Sequence, residues 1–151
     1  QAETVAEALS AIATAQAPFV SRGDDSGTHR KEQSLWTAAG ATPDSDWYAS
    51  VGAGMGAALN TASAMNAYIL SDRASWLNFG NKGGLALLFS DDPVLFNQYA
   101  FLPVSVDRHG HVKRDQVARL EAWLTSDRAA ELINSYTLSG EALFVFNATA
   151  E

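Results

Sequence analysis

Between Phe19 and Glu32 the chain reads Phe-Val-Ser-Arg-Gly-Asp-Asp-Ser-Gly-Thr-His-Arg-Lys-Glu, an order that few folds accept. The β-favouring pair Phe19 and Val20 leads into a polar turn containing a glycine, and the turn leads directly into a helix. Ser26 or Asp25 supplies the N-cap, and the pattern predicts helix from Gly27 to about Ala39, closed by Gly40. A strand that turns straight into a helix points to an α/β architecture. The same layout forms a socket for a small anion. The first amides of a helix lack intrahelical partners and carry the positive end of its dipole, so Gly27, Thr28 and His29 can donate to an oxyanion. The hydroxyls of Ser26 and Thr28 add donors, and Arg22 adds a forked cation on the same side of the turn. A Ser or Asp ahead of a helix is more often a cap and nothing else, so from these residues alone both readings stand.

Asp24 and Asp25 would repel a bound anion unless they turn away from it. Their expected work is to cap the turn, to hold Arg22 by a charge-assisted hydrogen bond, or to accept from backbone amides. The tripeptide Arg22-Gly23-Asp24 also spells an adhesion motif, which is read here as chance.

A second unit of the same kind follows. Trp47 to Val51 reads as a strand, and Gly52-Ala-Gly-Met-Gly56 opens a helix with Met55, Ala58, Leu59, Ala62 and Met65 at three- and four-residue steps. Its N-terminus could face the first across a crevice. The glycines do not make a nucleotide loop, because no Lys-Ser/Thr pair follows them. Upstream, residues 2–16 carry Val5, Leu9 and Ile12 as one helical stripe, stopped by Pro18. Downstream, Ala67 to Leu70 reads as a buried strand, and Ser71-Asp72 caps a helical turn through Leu77. Leu85 to Phe89 reads as a strand covered on both faces. An extended segment spans Asn97 to Val106. Two amphipathic helices follow, marked by Val117, Leu120 and Leu124 and then by Ala129, Leu132, Ile133 and Tyr136, the second capped by Ser126 and ended by Ser139-Gly140. Leu143 to Phe146 forms a last apolar segment. His109 and His111 lack a third ligand nearby and read as solvated turn residues rather than a metal pair.

With 151 residues, 47% of them hydrophobic, the chain can bury a core. A net charge of −7 argues against nucleic acid or an anionic membrane surface as partner. A small anion is still allowed, since local donors govern such a site and distant charges are screened. Without cysteine there are no disulfides or thiolate metal sites. No run is long enough for membrane insertion. The start at Gln1 instead of Met suggests a processed product or a piece of something longer.

Ser21-Arg-Gly-Asp-Asp-Ser-Gly-Thr-His29, with Lys31-Glu32 and Leu35-Trp36, closely resembles the signature of the periplasmic tungstate-binding proteins of ABC uptake systems. Trp47-Tyr48, Gly52 to Gly56, Ala67 to Arg73, Asn97-Gln-Tyr99, Trp123 to Ser126 and Gly140 to Phe144 continue the likeness in order. The resemblance implies the type II solute-binding fold, two α/β lobes that close on a ligand. Residues 1–101 would be the α/β ligand-binding lobe, with helices on both faces of a mixed sheet. Residues 102–151 would be a hinge crossing and the C-terminal helices of an incomplete first lobe. Nothing here matches the N-terminal segment that builds most of the first lobe in that family. The apolar face so orphaned needs cover, from that missing segment or by self-association.

The resemblance further implies an extracytoplasmic protein that hands tungstate or molybdate to an ABC permease, with no cofactor, no metal beyond the oxyanion and no catalytic residue. Its ligand residues would be Ser21, Arg22, Ser26, Gly27 and Thr28, with Gly54 and Met55 facing the ligand from the second helix. A site made only of donors suits a fully deprotonated oxyanion, whereas an inward-pointing Asp24 would favour protonated phosphate. Two other readings stay open: an oxyanion sensor that signals to an attached partner, and a phosphoester hydrolase using Asp24 or Asp25 with His29.

Overall fold

A computed structural model of the chain describes residues 2–44 and 46–148. The molecule divides into two compact units, one ending at Phe96 and the other starting at Asn97.

The first unit opens with α1 (Val5–Ala15). Thr4 Oγ1 accepts from the Glu7 amide, and the Glu7 carboxylate reaches back to the Glu3 amide, so both ends of the first turn are satisfied. Gln16 closes the helix in the left-handed conformation. Then follow β1 (Phe19–Ser21), α2 (Gly27–Ala38), β2 (Tyr48–Ser50), α3 (Met55–Met65), β3 (Tyr68–Ile69) and α4 (Arg73–Asn78). The strands pair in the order β2-β1-β3, all parallel, with Phe19 level with both Tyr48 and Tyr68.

Alternation along β1 sends successive side chains to opposite faces and builds a separate core on each. Phe19 joins Val5, Leu9, Leu35, Trp36 and Trp47 beneath α1 and α2. The Phe19 ring meets Trp36 edge-on at 5.0 Å and stacks on Tyr48 at 5.8 Å. Val20 joins Met55, Ala58, Leu59, Ala62 and Ala67 beneath α3. The α/β lobe with helices on both faces is thus present. Its described strands are all parallel, and the antiparallel pairing of the molecule lies in the second unit.

The expected strand at Leu85 to Phe89 does not form. A run apolar at every position needs cover on both sides and a ladder partner, and among the described residues no strand pairs with it. Leu85 and Phe89 pack against the two cores, while Leu87 and Leu88 are exposed. Asp92 then starts a 3-10 turn at Pro93–Leu95, and its second oxygen accepts from the Val5 amide at 2.9 Å, tying this segment to the start of α1.

The second unit holds α5 (Arg114–Leu124), α6 (Asp127–Ser135) and the hairpin β4 (Thr137–Leu138) with β5 (Glu141–Ala142). Ser126 caps α6 by accepting from the Ala129 amide. Ser139-Gly140 does not end this helix, which stops at Ser135. Both residues have positive φ (53° and 83°) and form the two-residue loop of the hairpin, the geometry that matches the right-handed twist of two antiparallel strands. Phe144 packs against Tyr99 and Tyr136, and the Phe146 amide donates to Asn134, so the last apolar segment is docked within this unit. Leu102, Trp123, Tyr136 and Val145 remain exposed. His109 and His111 are exposed in the turn ahead of α5.

Candidate functional site

Strands β1 and β2 run side by side, and the chain leaves their C-terminal ends toward opposite faces of the sheet, into α2 after β1 and into α3 after β2. Such a divergence at the strand ends marks the usual ligand position in an open parallel sheet. The two turns are fastened to each other. The Val51 amide donates to the Ser21 carbonyl at 3.0 Å, and the Ala53 amide donates to the Arg22 carbonyl at 3.1 Å. Gly23 makes that approach possible. It has φ +61°, and a Cβ there would stand 1.8 Å from Ser50 Oγ and 3.3 Å from the Gly52 amide.

Ser26, not Asp25, is the N-cap of α2. Its Oγ accepts from the His29 amide, so of the three amides expected in the socket His29 is already occupied. The Gly27 and Thr28 amides have no partner among the described residues, while the Ser26 side chain also hydrogen-bonds to Asp24. At the head of α3, Gly54 provides no side-chain cap, and the Met55 and Gly56 amides are likewise unpartnered among the described residues. Two helix N-termini therefore stand at neighbouring strand ends with donors to spare.

Asp24 does what was expected of it on both counts. One oxygen accepts from Arg22 Nε and Nη2, at 3.2 and 2.5 Å, and the other accepts from the Ser26 amide at 3.2 Å. Hydrogen bonding from Ser26 first, then from Arg22, holds its carboxyl down at about 2. Asp25, in the left-handed region at φ +57°, turns outward to an exposed pair with Arg30 that lowers its pKa, and its amide donates to His29 Nδ1. Neither carboxylate has the free, inward-facing position that would repel an anion.

Ser21 lies deeper than the other predicted site residues. It has no exposed surface, and its Oγ accepts from the Gly23 amide. Behind it is a buried network that sequence reasoning did not single out. Glu32, on α2, is 2% exposed and accepts from Tyr48 Oη at 2.6 Å and from Trp36 Nε1 at 3.2 Å, and it also bonds with Ser21. Burial pushes Glu32 up, and burial together with Glu32 pushes Tyr48 to about 12. Gln33 donates to the Tyr48 hydroxyl from the surface. The signal was available in the helix spacing, since Glu32 falls on the same stripe as Leu35 and Trp36.

Among the described residues no group of three or more His, Asp or Glu side chains could hold a metal ion, and no helix is long and apolar enough to cross a membrane. The arrangement offers hydrogen-bond donors and a guanidinium, which suits an anionic guest.

Known proteins share this sequence and fold. The chain is 41% identical over 143 residues to the tungstate-binding protein TupA of Peptoclostridium acidaminophilum, a match covering 93% of this chain and 50% of that protein. It superposes on the tungstate-binding protein TupA from Desulfovibrio alaskensis G20 with a TM-score of 0.84 and 37% identity, over 97% of this chain and 61% of that one. It superposes on the tungstate ABC transporter structure from Geobacter sulfurreducens with a TM-score of 0.79 and 40% identity, over 90% of this chain and 58% of that one. The chain thus spans about half the length of the curated relative. The profile of the PBP superfamily domain matches residues 1–128, so the chain belongs to that superfamily.

Proposed function

We propose that this chain forms a ligand-binding lobe of an extracytoplasmic solute-binding protein that carries a tetrahedral oxyanion, tungstate first and molybdate second, to an ABC permease. Arg22, Ser26, Gly27 and Thr28 hold the anion, Gly54 and Met55 face it from the head of α3, and Ser21 braces the turn from behind. The observation that carries this reading is the pair of helix N-termini, α2 and α3, locked at adjacent strand ends with unpartnered amides beside a guanidinium that Asp24 holds in place. Oriented neutral dipoles with a single cation bind a dianion without burying several free counter-charges. The names of the relatives point to the same ligand class.

Residues 1–101 act in this reading as the ligand-binding lobe, and 102–151 as hinge and helices of the other lobe. The exposed apolar side chains, Leu87 and Leu88 in the first unit and Leu102, Trp123 and Val145 in the second, are then covered by the polypeptide that completes the protein or by self-association. Isothermal titration of the intact protein with tungstate, molybdate, sulfate and phosphate tests the assignment. Heat with tungstate and molybdate is expected, and absence of heat with all four anions refutes it. Sedimentation of the isolated chain separates the two kinds of cover, since a monomer at micromolar concentration excludes self-association.

A further inference from the structure

Ser21 and Glu32 are the buried polar residues among those described, and of the two only Glu32 can carry a charge. Its hydrogen-bond partners are the Tyr48 phenol, the Trp36 indole and the Ser21 hydroxyl, none of them a cation. The basic residues near it in sequence act elsewhere: Arg22 is held by Asp24, Arg30 by Asp25, and Lys31 acts on Asp92. Towards Glu32, β1 presents Ser21, β2 presents Tyr48, and its own helix presents Trp36 and His29, while α1 brings the apolar Val5 and Leu9 to the same core. Burial is the largest influence on the carboxyl and favours its neutral form, whereas the three hydrogen bonds and a positive His29 favour the charged one. The group lies behind the turn that carries Arg22, since Ser21 precedes Arg22, its Oγ accepts from the Gly23 amide and its carbonyl accepts from the Val51 amide.

A dianion bound at that turn adds a second pressure toward the neutral form. Like charges repel more strongly in a protein interior than in water, and a buried carboxylate without a counter-ion relieves the repulsion by taking a proton. Resting on the oxyanion reading above, we propose that Glu32 couples anion binding to proton uptake: as the dianion arrives, the carboxylate takes one proton from solvent and becomes the neutral acid, and it returns that proton when the anion leaves. The Tyr48 hydroxyl, which the exposed Gln33 reaches at 2.8 Å, gives the proton a short path from the surface. Because such coupling is reciprocal, affinity is highest where Glu32 is already neutral and falls as pH rises through its titration.

Isothermal titration of the intact protein with tungstate, run at several pH values and in buffers of different ionisation heat, counts the protons taken up per anion. Protonation of the anion itself contributes equally to every variant, so native-minus-variant differences isolate the side chain. The native protein is expected to take up a fraction of a proton, most where Glu32 titrates, and to lose about five- to tenfold in affinity relative to Glu32→Gln as pH rises through that point. Glu32→Gln keeps an acceptor oxygen for Tyr48 and Trp36 but cannot titrate, so this uptake should vanish. Tyr48→Phe removes a bond that favours the charged form, so the fall in affinity should move to higher pH, and this variant serves if Glu32→Gln fails to fold. His29→Gln is expected to retain the uptake, and thermal melts confirm folding. A merely structural Glu32 would change affinity without changing the proton count. Equal uptake by the native protein and a folded Glu32→Gln, an unmoved profile in Tyr48→Phe, or loss of the uptake in His29→Gln overturns the proposal while leaving the oxyanion reading in place. Absence of binding by the native protein removes that reading, and the proposal with it.

Discussion

Tyr48 and Glu32 join β2 to α2 through a 2.6 Å hydrogen bond, the phenol donating to a carboxylate oxygen that also receives the indole N–H of Trp36. Every buried polar side-chain atom among the described residues has a partner, and in this core Glu32 is the shared acceptor. Glu32→Ala leaves the Trp36 N–H buried without an acceptor and opens a cavity beneath Ser21. A loss of about 2 kcal/mol or more is expected from the unmade hydrogen bond alone. Glu32→Gln retains the acceptor oxygen and is expected to stay within about 1 kcal/mol of the native protein. Urea unfolding of both variants measures the difference, and equal losses would mean that the network contributes nothing beyond volume.

The same residue gives the fold a pH signature. Burial raises the folded pKa of Glu32 above its ordinary 4.5, so the folded state holds the proton more tightly than the unfolded chain. Its contribution is complete below 4.5 and is lost as pH rises through the elevated folded value. Asp24 acts in the opposite direction. With its pKa lowered from 3.8 to about 2, its contribution is present above 3.8 and is lost as pH falls toward 2. Stability relative to Glu32→Gln should therefore decline as pH rises above 4.5 and remain flat below it. A native-minus-variant difference that is constant across this range contradicts the assignment.

Local chemistry was legible in the sequence wherever a single residue type decides it. Ser26, Asp72 and Ser126 each cap a helix where hydroxyls and carboxylates are expected to, and the strand-turn-helix order around Phe19 and Tyr48 sets the sheet. Relations between distant residues were not legible. The stripe shared with Leu35 and Trp36 marks Glu32 as inward-facing, but it does not show that Tyr48, sixteen residues on, donates to it. The His29 amide looks free until the Ser26 hydroxyl takes it. Leu85 to Phe89 has the composition of a central strand, but composition cannot supply the neighbouring strand it would need. Ser139-Gly140 was recognised as a terminator, and only the pairing of Thr137 with Ala142 makes it a hairpin loop.

Gly23→Ala tests how the two turns are fastened. The substitution places a Cβ against Ser50 Oγ and imposes a side chain at φ +61°, two penalties that together amount to about 2–4 kcal/mol. The Ser50→Gly second-site change removes the hydroxyl but neither the backbone strain nor the 3.3 Å approach to the Gly52 amide, so it should rescue only part of the loss. Thermal melts of the single and double variants check this, and full rescue would show that the backbone conformation costs nothing.

The hairpin offers a stabilising change. Both loop residues have positive φ, a conformation Asn adopts more readily than Ser, and Asn-Gly is the preferred pair for this two-residue turn. Ser139→Asn is expected to raise stability by about 0.5 kcal/mol. An unchanged or lowered melting temperature would argue against this turn geometry.

Arg22→Ala separates recognition from folding. Arg22 sits in a turn outside both hydrophobic cores, and its side chain bonds to Asp24, so the fold should survive its removal. The guanidinium supplies the one side-chain cation of the proposed site, and losing a charge-assisted donor of this kind is expected to weaken tungstate binding by about tenfold to a hundredfold. Removing Arg22 also frees Asp24 Oδ2, which then becomes an acceptor. Phosphate should consequently lose less affinity than tungstate, and the ratio between the two anions should narrow. Titration of both anions into the folded variant reads both effects at once: tungstate affinity equal to the native value would mean that the helix N-termini bind the anion without Arg22, and an unchanged ratio would mean that the freed carboxylate oxygen does not reach the ligand.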